Sequence, residues 1–166
     1  MRKPALWIGL FLSSVVVTVT LVTGTTGKTS ATPDRAIAQT TSSASVQGNV
    51  GGPLAQQLQG KPVVVDIYAT WCPACGNIAP TLSQLRQEYG DRIHFIKLDV
   101  SDRSQTSESE TRANELGLAS FFAENKSNTG SVTIIDPDTG NILAQYRNNP
   151  DKSAYTRVID SALNPQ

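Results

Sequence analysis

The stretch Ala69-Thr70-Trp71-Cys72-Pro73-Ala74-Cys75-Gly76-Asn77 holds both cysteines of the chain, with two residues between them. Three chemistries use that spacing. A local disulfide staple would close a very short loop and so add little chain-entropy stabilisation. A closed zinc site needs four ligands, and this pair with the single histidine, His94, is one short unless an Asp or Glu joins. A redox pair needs an activated thiolate and a second cysteine that resolves the mixed disulfide it forms. Placement favours the third. Val63-Val64-Val65-Asp66-Ile67-Tyr68 is a β-branched run after the turn signal Gly60-Lys61-Pro62, which predicts a buried strand. Beyond the cysteines, Ile78, Leu82, Leu85 and Tyr89 recur at helical spacing, and Gly90 ends that helix. Cys72 therefore falls at a helix N-terminus, where unpaired N–H groups favour the negative thiolate, its reactive form. Cys75, one turn on, is more shielded and suited to resolution. Pro73 fits the first turn because its missing N–H costs nothing there. No charged side chain separates the cysteines, so the helix terminus and backbone must tune them.

The elements that position the pair read as follows. Pro53 opens a short helix carrying Leu54 and Leu58. After the strand and the cysteine helix, Ile93 to Val100 forms a second strand. The polar stretch Ser101 to Arg112 leads into a helix ending near Leu116-Gly117. Ser131-Val132-Thr133-Ile134-Ile135 and Asn141 to Tyr146 are two strands joined by Asp136-Pro137-Asp138-Thr139-Gly140, a hairpin signal. Tyr155, Val158, Ile159 and Ala162 mark a last amphipathic helix. Strands joined through helices should be parallel and the closing hairpin antiparallel, giving an α/β fold with a mixed sheet covered by helices.

At 166 residues there is room for one domain and extra chain. Net charge is zero and no basic block occurs, so the electrostatic footprint of a nucleic-acid binder is missing. Met1-Arg2-Lys3 is a basic leader, and Leu6 to Val22 is apolar and uncharged, close to the length that spans a bilayer. Residues 1–22 thus read as an N-terminal transmembrane anchor with its leader inside, which exports everything after Val22. The alternative is a cleaved signal peptide; Ala36-Ile37-Ala38 has the small-residue pattern but lies far beyond the apolar run. Either reading exports the domain to a compartment that permits disulfide chemistry. Residues 23–52 are Thr, Ser, Ala, Gly and Gln with almost no large apolar side chain, the composition of a disordered, flexible tether. The folded domain is expected over 53–166.

The words Val64-Val65-Asp66-Ile67-Tyr68-Ala69-Thr70-Trp71-Cys72-Pro73-Ala74-Cys75, Ile78-Ala79-Pro80 and Ile96-Lys97-Leu98-Asp99 resemble thioredoxin-like thiol–disulfide oxidoreductases. The likeness covers about Leu54 to Leu163. It implies a thioredoxin-like fold, Cys72 as attacking nucleophile and Cys75 as resolving cysteine, with no cofactor beyond their own disulfide. It makes Asp66 the buried acid that moves the proton of Cys75. An Asp in an apolar strand is costly without such a job. Lys97 matches the lysine near that acid, and Trp71 an apolar face beside Cys72. Pro73 and Ala74 fill the gap between the cysteines, Pro80 should kink the helix, and His94 has no catalytic part. With an anchor, the chain looks like membrane-tethered relatives of bacteria and plastids, which work in the periplasm or thylakoid lumen, often in cytochrome maturation or disulfide reduction. The partners implied are cysteine-containing proteins and a membrane electron donor or acceptor.

Two departures stand out. The family's cis-proline facing the cysteines is missing; Thr129-Gly130-Ser131 occupies its place. That loop normally offers its backbone to a substrate peptide, so these three residues are the candidate substrate-binding segment. Without the ring, the sulfurs should be less guarded and open to metal, although no metal ligands besides the cysteines are identified. The extra chain Ala119 to Asn128 should lie near the active-site end, where Phe121 and Phe122 either plug the core or offer an apolar contact. Two rivals to the redox enzyme stay open: a non-catalytic binding or assembly module, and a metal-binding CxxC protein.

Overall fold

The computed structural model describes residues 48–165. The expected anchor, residues 1–22, and residues 23–47 of the expected tether lie outside them. Among the described residues no helix is long and apolar enough to cross a membrane. The elements are β1 (Gly48–Asn49), β2 (Val63–Tyr68), α1 (Pro73–Tyr89), β3 (His94–Asp99), α2 (Arg103–Leu116), α3 (Ala119–Asn125), β4 (Ser131–Ile135), β5 (Asn141–Arg147) and α4 (Lys152–Leu163). The sheet order is β1-β5-β4-β2-β3. Strand β3 lies parallel to β2, while β4 and β5 form the antiparallel hairpin. This is the expected mixed sheet flanked by helices.

Strand β2 is interior, between β4 and β3, and Val63 to Ile67 are all buried. Its residues alternate between two cores, as the period of a strand requires. Val63, Val65 and Ile67 pack with Ile96, Leu98 and the α2–α3 side chains Leu116, Phe121 and Phe122. Val64 packs on the other face with Ile78, Leu82 and Leu85 of α1 and Tyr155 and Ile159 of α4. Asp66 is in register with Val64, so it points beneath α1.

Local signals explain the ends of the elements. Gly90 caps α1 at φ 50°, and Gly117 closes α2 in the left-handed conformation at φ 77°. Asp102 accepts the Gln105 N–H and starts α2 at Arg103, so most of the polar stretch before Leu116 is already helix. Three expectations need correction. The helix expected after Pro53 is a single 3₁₀ turn, Gln56–Leu58. The extra chain before Asn128, for which no helix is expected, is mostly helix α3; of the two readings of Phe121 and Phe122 the core one holds, at 2% and 1% exposed. The fold also starts before residue 53. Gly48 and Asn49 pair with Ile142 and Asn141 at the sheet edge, and Val50 is 4% exposed. The Asn49 carboxamide accepts the N–H groups of Gly51 and Gly52 and donates to the Thr139 carbonyl.

These contacts make residues 48–52 part of the cooperative unit. Val50→Ala in the full chain should lower unfolding free energy by about 2 kcal/mol, the transfer cost of two buried methyl groups. Urea unfolding measures this; a loss near zero would return the segment to the tether.

Candidate functional site

Strand β2 ends at Tyr68, and the chain turns through Ala69-Thr70-Trp71 into α1. Cys72 is the N-cap of α1, with extended backbone, and Pro73 opens the helix. Its Sγ accepts the Cys75 N–H at 3.1 Å, the bond that an Asp or Ser side chain makes at other helix starts. Cys72 and Cys75 form a disulfide with Cα atoms 5.3 Å apart. Neither sulfur-bearing residue is open to bulk solvent: Cys72 is 7% exposed and Cys75 2%. Cys75 Sγ lies 3.9 Å from the Ile67 carbonyl oxygen. Pro80 sits inside α1 and leaves the Gly76 carbonyl without its i+4 donor.

Trp71 is 63% exposed, and its indole N–H donates to the Ser101 carbonyl at 3.0 Å. The Thr70 N–H reaches Ser101 Oγ at 2.9 Å. The loop after β3 therefore holds the residues before Cys72 and leaves the indole facing outward, next in the chain to Cys72.

Behind Cys75 lies a cleft of about 220 Å³, lined by Asp66, Tyr68, Cys75, Ala79, Leu82, Arg86 and Lys97. Asp66 is 6% exposed, and its Oδ1 has no hydrogen-bond partner among the described residues. Burial pushes its carboxyl up to about 6, against the opposing pull of the Arg86 and Lys97 charges and with a small push from Asp99. Lys97 is half-exposed. Its Nζ pairs with Asp99 at 3.5 Å and sits 4.5 Å from the centre of the Tyr68 ring, so it acts on Asp66 through charge alone.

Of the Thr129-Gly130-Ser131 segment, Gly130 packs against Cys72 and Ala74. The peptide bonds of the described residues are all trans. Gly130 has φ 75°, and a Cβ there would meet Ala74 Cβ at 2.6 Å and Cys72 Sγ at 3.4 Å. Its N–H donates to the Ile67 carbonyl, and its own carbonyl accepts from the Asn148 N–H. The main chain thus packs where a ring was expected, and the expectation of unguarded sulfurs is wrong: the backbone of a glycine in close contact does the covering. Thr129 and Ser131 are buried, and Ser131 Oγ has no partner among the described residues. No group of three or more His, Cys, Asp or Glu side chains there could hold a metal ion. His94 pairs with Val63 at the end of β2 remote from the cysteines.

Arg86 was missed in the sequence. Its signal is spacing: Cys75, Ala79, Leu82 and Arg86 recur at intervals of four, three and four, one stripe of α1. A charge near a helix end reads as solvated until the strand beneath is known.

Residues 53–129 match the family model for thioredoxin. The chain is 44% identical over 43 residues to the thioredoxin-like protein HCF164, chloroplastic, of Oryza sativa, covering 26% of this chain and 16% of that protein. It is 41% identical over 51 residues to the thiol:disulfide interchange protein TxlA homolog of Synechocystis, covering 30% of this chain and 28% of the relative. The matches thus span well under half of these relatives. Among solved structures, a thioredoxin family thiol:disulfide interchange protein from Chlorobium tepidum is 18% identical over 71% of this chain and 97% of its own, with a TM-score of 0.49. The CxxC disulfide at the start of α1 thus lies inside the segment, residues 53–129, that matches the thioredoxin family model, and the chain is similar there to thioredoxin-like thiol–disulfide oxidoreductases.

Proposed function

We propose that the chain is a membrane-tethered protein-disulfide oxidoreductase that works on the exported side, in a periplasm or thylakoid lumen, as a reductant of cysteine-containing proteins. The observation that carries this reading is the Cys72–Cys75 disulfide at the N-terminus of α1, backed by the cleft that holds Asp66. The basic leader and apolar run of residues 1–22 support the tether.

In the dithiol state, the Cys72 thiolate attacks one sulfur of a substrate disulfide. A mixed disulfide forms and the first substrate thiolate leaves. Asp66 takes the Cys75 proton through the cleft, and the Cys75 thiolate attacks Cys72 Sγ. The second substrate thiolate departs, and two electrons have passed to the substrate. The chain is left as the disulfide. A membrane protein supplying dithiol electrons closes the cycle; in that step Asp66 returns the proton to Cys75 as the disulfide opens. Trp71 and the Thr129–Ser131 segment flank Cys72 and receive the substrate chain. Cytochrome maturation is one process that uses such a reductant.

Cys72→Ser should abolish reduction of a protein disulfide, whereas Cys75→Ser should accumulate a mixed disulfide visible on a non-reducing gel. The reduction potential of the pair, titrated against dithiothreitol, should fall near −270 mV, roughly the thioredoxin end of the scale. A value of about −120 mV would reverse the direction of electron flow. Retention of function by Cys72→Ser would leave a binding module instead.

Asp66 gives a pH signature. Its folded value, about 6, lies above the ordinary 3.8. The folded state therefore prefers the protonated acid, and ionisation opposes folding. The penalty is absent below about pH 4, grows through the window from 3.8 to 6, and is complete above it. Relative to the parent, Asp66→Asn should gain on the order of 2–3 kcal/mol of stability between pH 4 and pH 8. The same variant should slow disulfide exchange at least about tenfold. Denaturant melts across that range, with stopped-flow exchange, decide both; a pH-independent difference would remove the buried acid from the account.

A further inference from the structure

Among the described residues, Asn148 is the non-glycine residue with positive φ, at 51°. Asn tolerates this left-handed conformation better than most side chains do, yet glycine would adopt it with less strain. The structure shows what the side chain contributes. Asn148 Oδ1 accepts from Asn77 Nδ2 at 2.9 Å, and Asn77 lies in α1 two residues beyond Cys75. The Asn148 N–H donates to the Gly130 carbonyl at 2.9 Å. One residue therefore ties the loop above Cys72 to the helix that carries Cys72. One turn along α1, Thr81 Oγ1 donates to the Pro150 carbonyl at 2.7 Å, so the whole β5–α4 connection is fastened to that helix.

This junction matters because of what Gly130 lacks. A proline ring would fix the loop by itself. Gly130 has free torsions, and its close approach to Ala74 and Cys72 must be held from outside. Its N–H is used by Ile67 and its carbonyl by Asn148. Neither the N–H nor the carbonyl of Thr129 makes a main-chain hydrogen bond among the described residues. The clamp on Gly130 thus fixes the direction of the adjacent peptide that an incoming chain would meet.

We propose that Asn148 is a positioning residue: through Gly130 and Asn77 it holds the loop over Cys72 in place and sets how disulfide-bonded proteins, as opposed to small disulfides, dock. This rests on the redox reading above. The Asn77–Asn148 bond is exposed and so weak as a source of stability, but it joins the two elements that flank the sulfur. A small disulfide needs only Cys72; a protein substrate needs the loop as well.

The test compares the full chain in detergent with Asn77→Ala, Asn148→Gly and the double variant. Asn148→Gly keeps the left-handed backbone, so folding is preserved. Reduction of insulin is followed with dithiothreitol as electron source, and reduction of dithiobis-nitrobenzoate as a single turnover of the pre-reduced chain after free dithiothreitol has been removed. Each single variant should raise KM for insulin about two- to tenfold, the loss of one hydrogen bond. The double variant should do no more than the larger single, because both remove one interaction. The kcat with insulin and the rate with the small disulfide should hold. An unchanged KM, or equal slowing with both disulfides, overturns the proposal. Amide hydrogen exchange at Asn148 reads the clamp without turnover. It should speed up in Asn77→Ala, and unchanged exchange shows that no clamp exists. A parent chain that reduces neither disulfide overturns the docking role together with the redox reading, and the amide then reports whether the clamp itself is real.

Discussion

Strand β2 pairs with β3 on one side and β4 on the other, and helices cover both of its faces. A strand in that position has no solvent to turn to, so every side chain must be apolar or carry a cost. Five residues obey; Asp66 does not. The strand also aims its C-terminal end at the first turn of α1, which is why the cysteines follow it without a loop long enough to drift. The register that places Asp66 beneath α1 is the one that places Val64 in the core, and a slip by one residue would turn both to the wrong face. The site is therefore held by the core, and its geometry cannot loosen without unpacking β2.

The charge balance around Asp66 follows from this placement. Burial alone drives the carboxyl toward its neutral form, and Arg86 and Lys97 at the cleft pull it back. The outcome is a group that changes protonation near neutral pH rather than one fixed as acid or base. Lys97 is already paired with Asp99 and stacked near Tyr68, which keeps its ammonium at the rim. Arg86, reaching from α1, has the larger effect on Asp66. The two cations arrive from different elements, α1 and β3, and both line the cleft.

What was legible in the sequence was what short-range physics dictates. The unbroken run Val63 to Ile67 announces a strand covered on both faces, Gly90 a helix stop, and Asp136 to Gly140 a hairpin. Cys72-Pro73 at the strand–helix junction announces the N-cap. Other features depend on partners far along the chain. Gly48–Asn49 becomes a strand only because Asn141 and Ile142 lie beside it; alone it reads as linker. Helix α3 has no side-chain cap at Leu118, so nothing marked its start, and Phe121 and Phe122 could be read as core only by their apolar type, with a partner contact as the alternative. Arg86 sat on a visible stripe, but the acid it faces belongs to another element.

Gly130 shows how the two kinds of information meet. Its sequence neighbourhood says only that a proline is absent. The fold says why none is required: the loop is closed by β4 pairing beside Ile67, and the glycine lets the main chain approach Ala74 and Cys72 more closely than any Cβ would allow. Close main-chain packing contributes to the burial of both cysteines, Cys72 at 7% and Cys75 at 2% exposed. A ring would supply that burial and rigidity at once; a glycine supplies only the first. Rigidity must then come from the residues that bond to it, which moves part of the site's definition from the loop to the end of β5 and the second turn of α1. A site built in this way tolerates change at the proline position only while its neighbours stay fixed, so those neighbours, rather than the loop itself, carry the constraint.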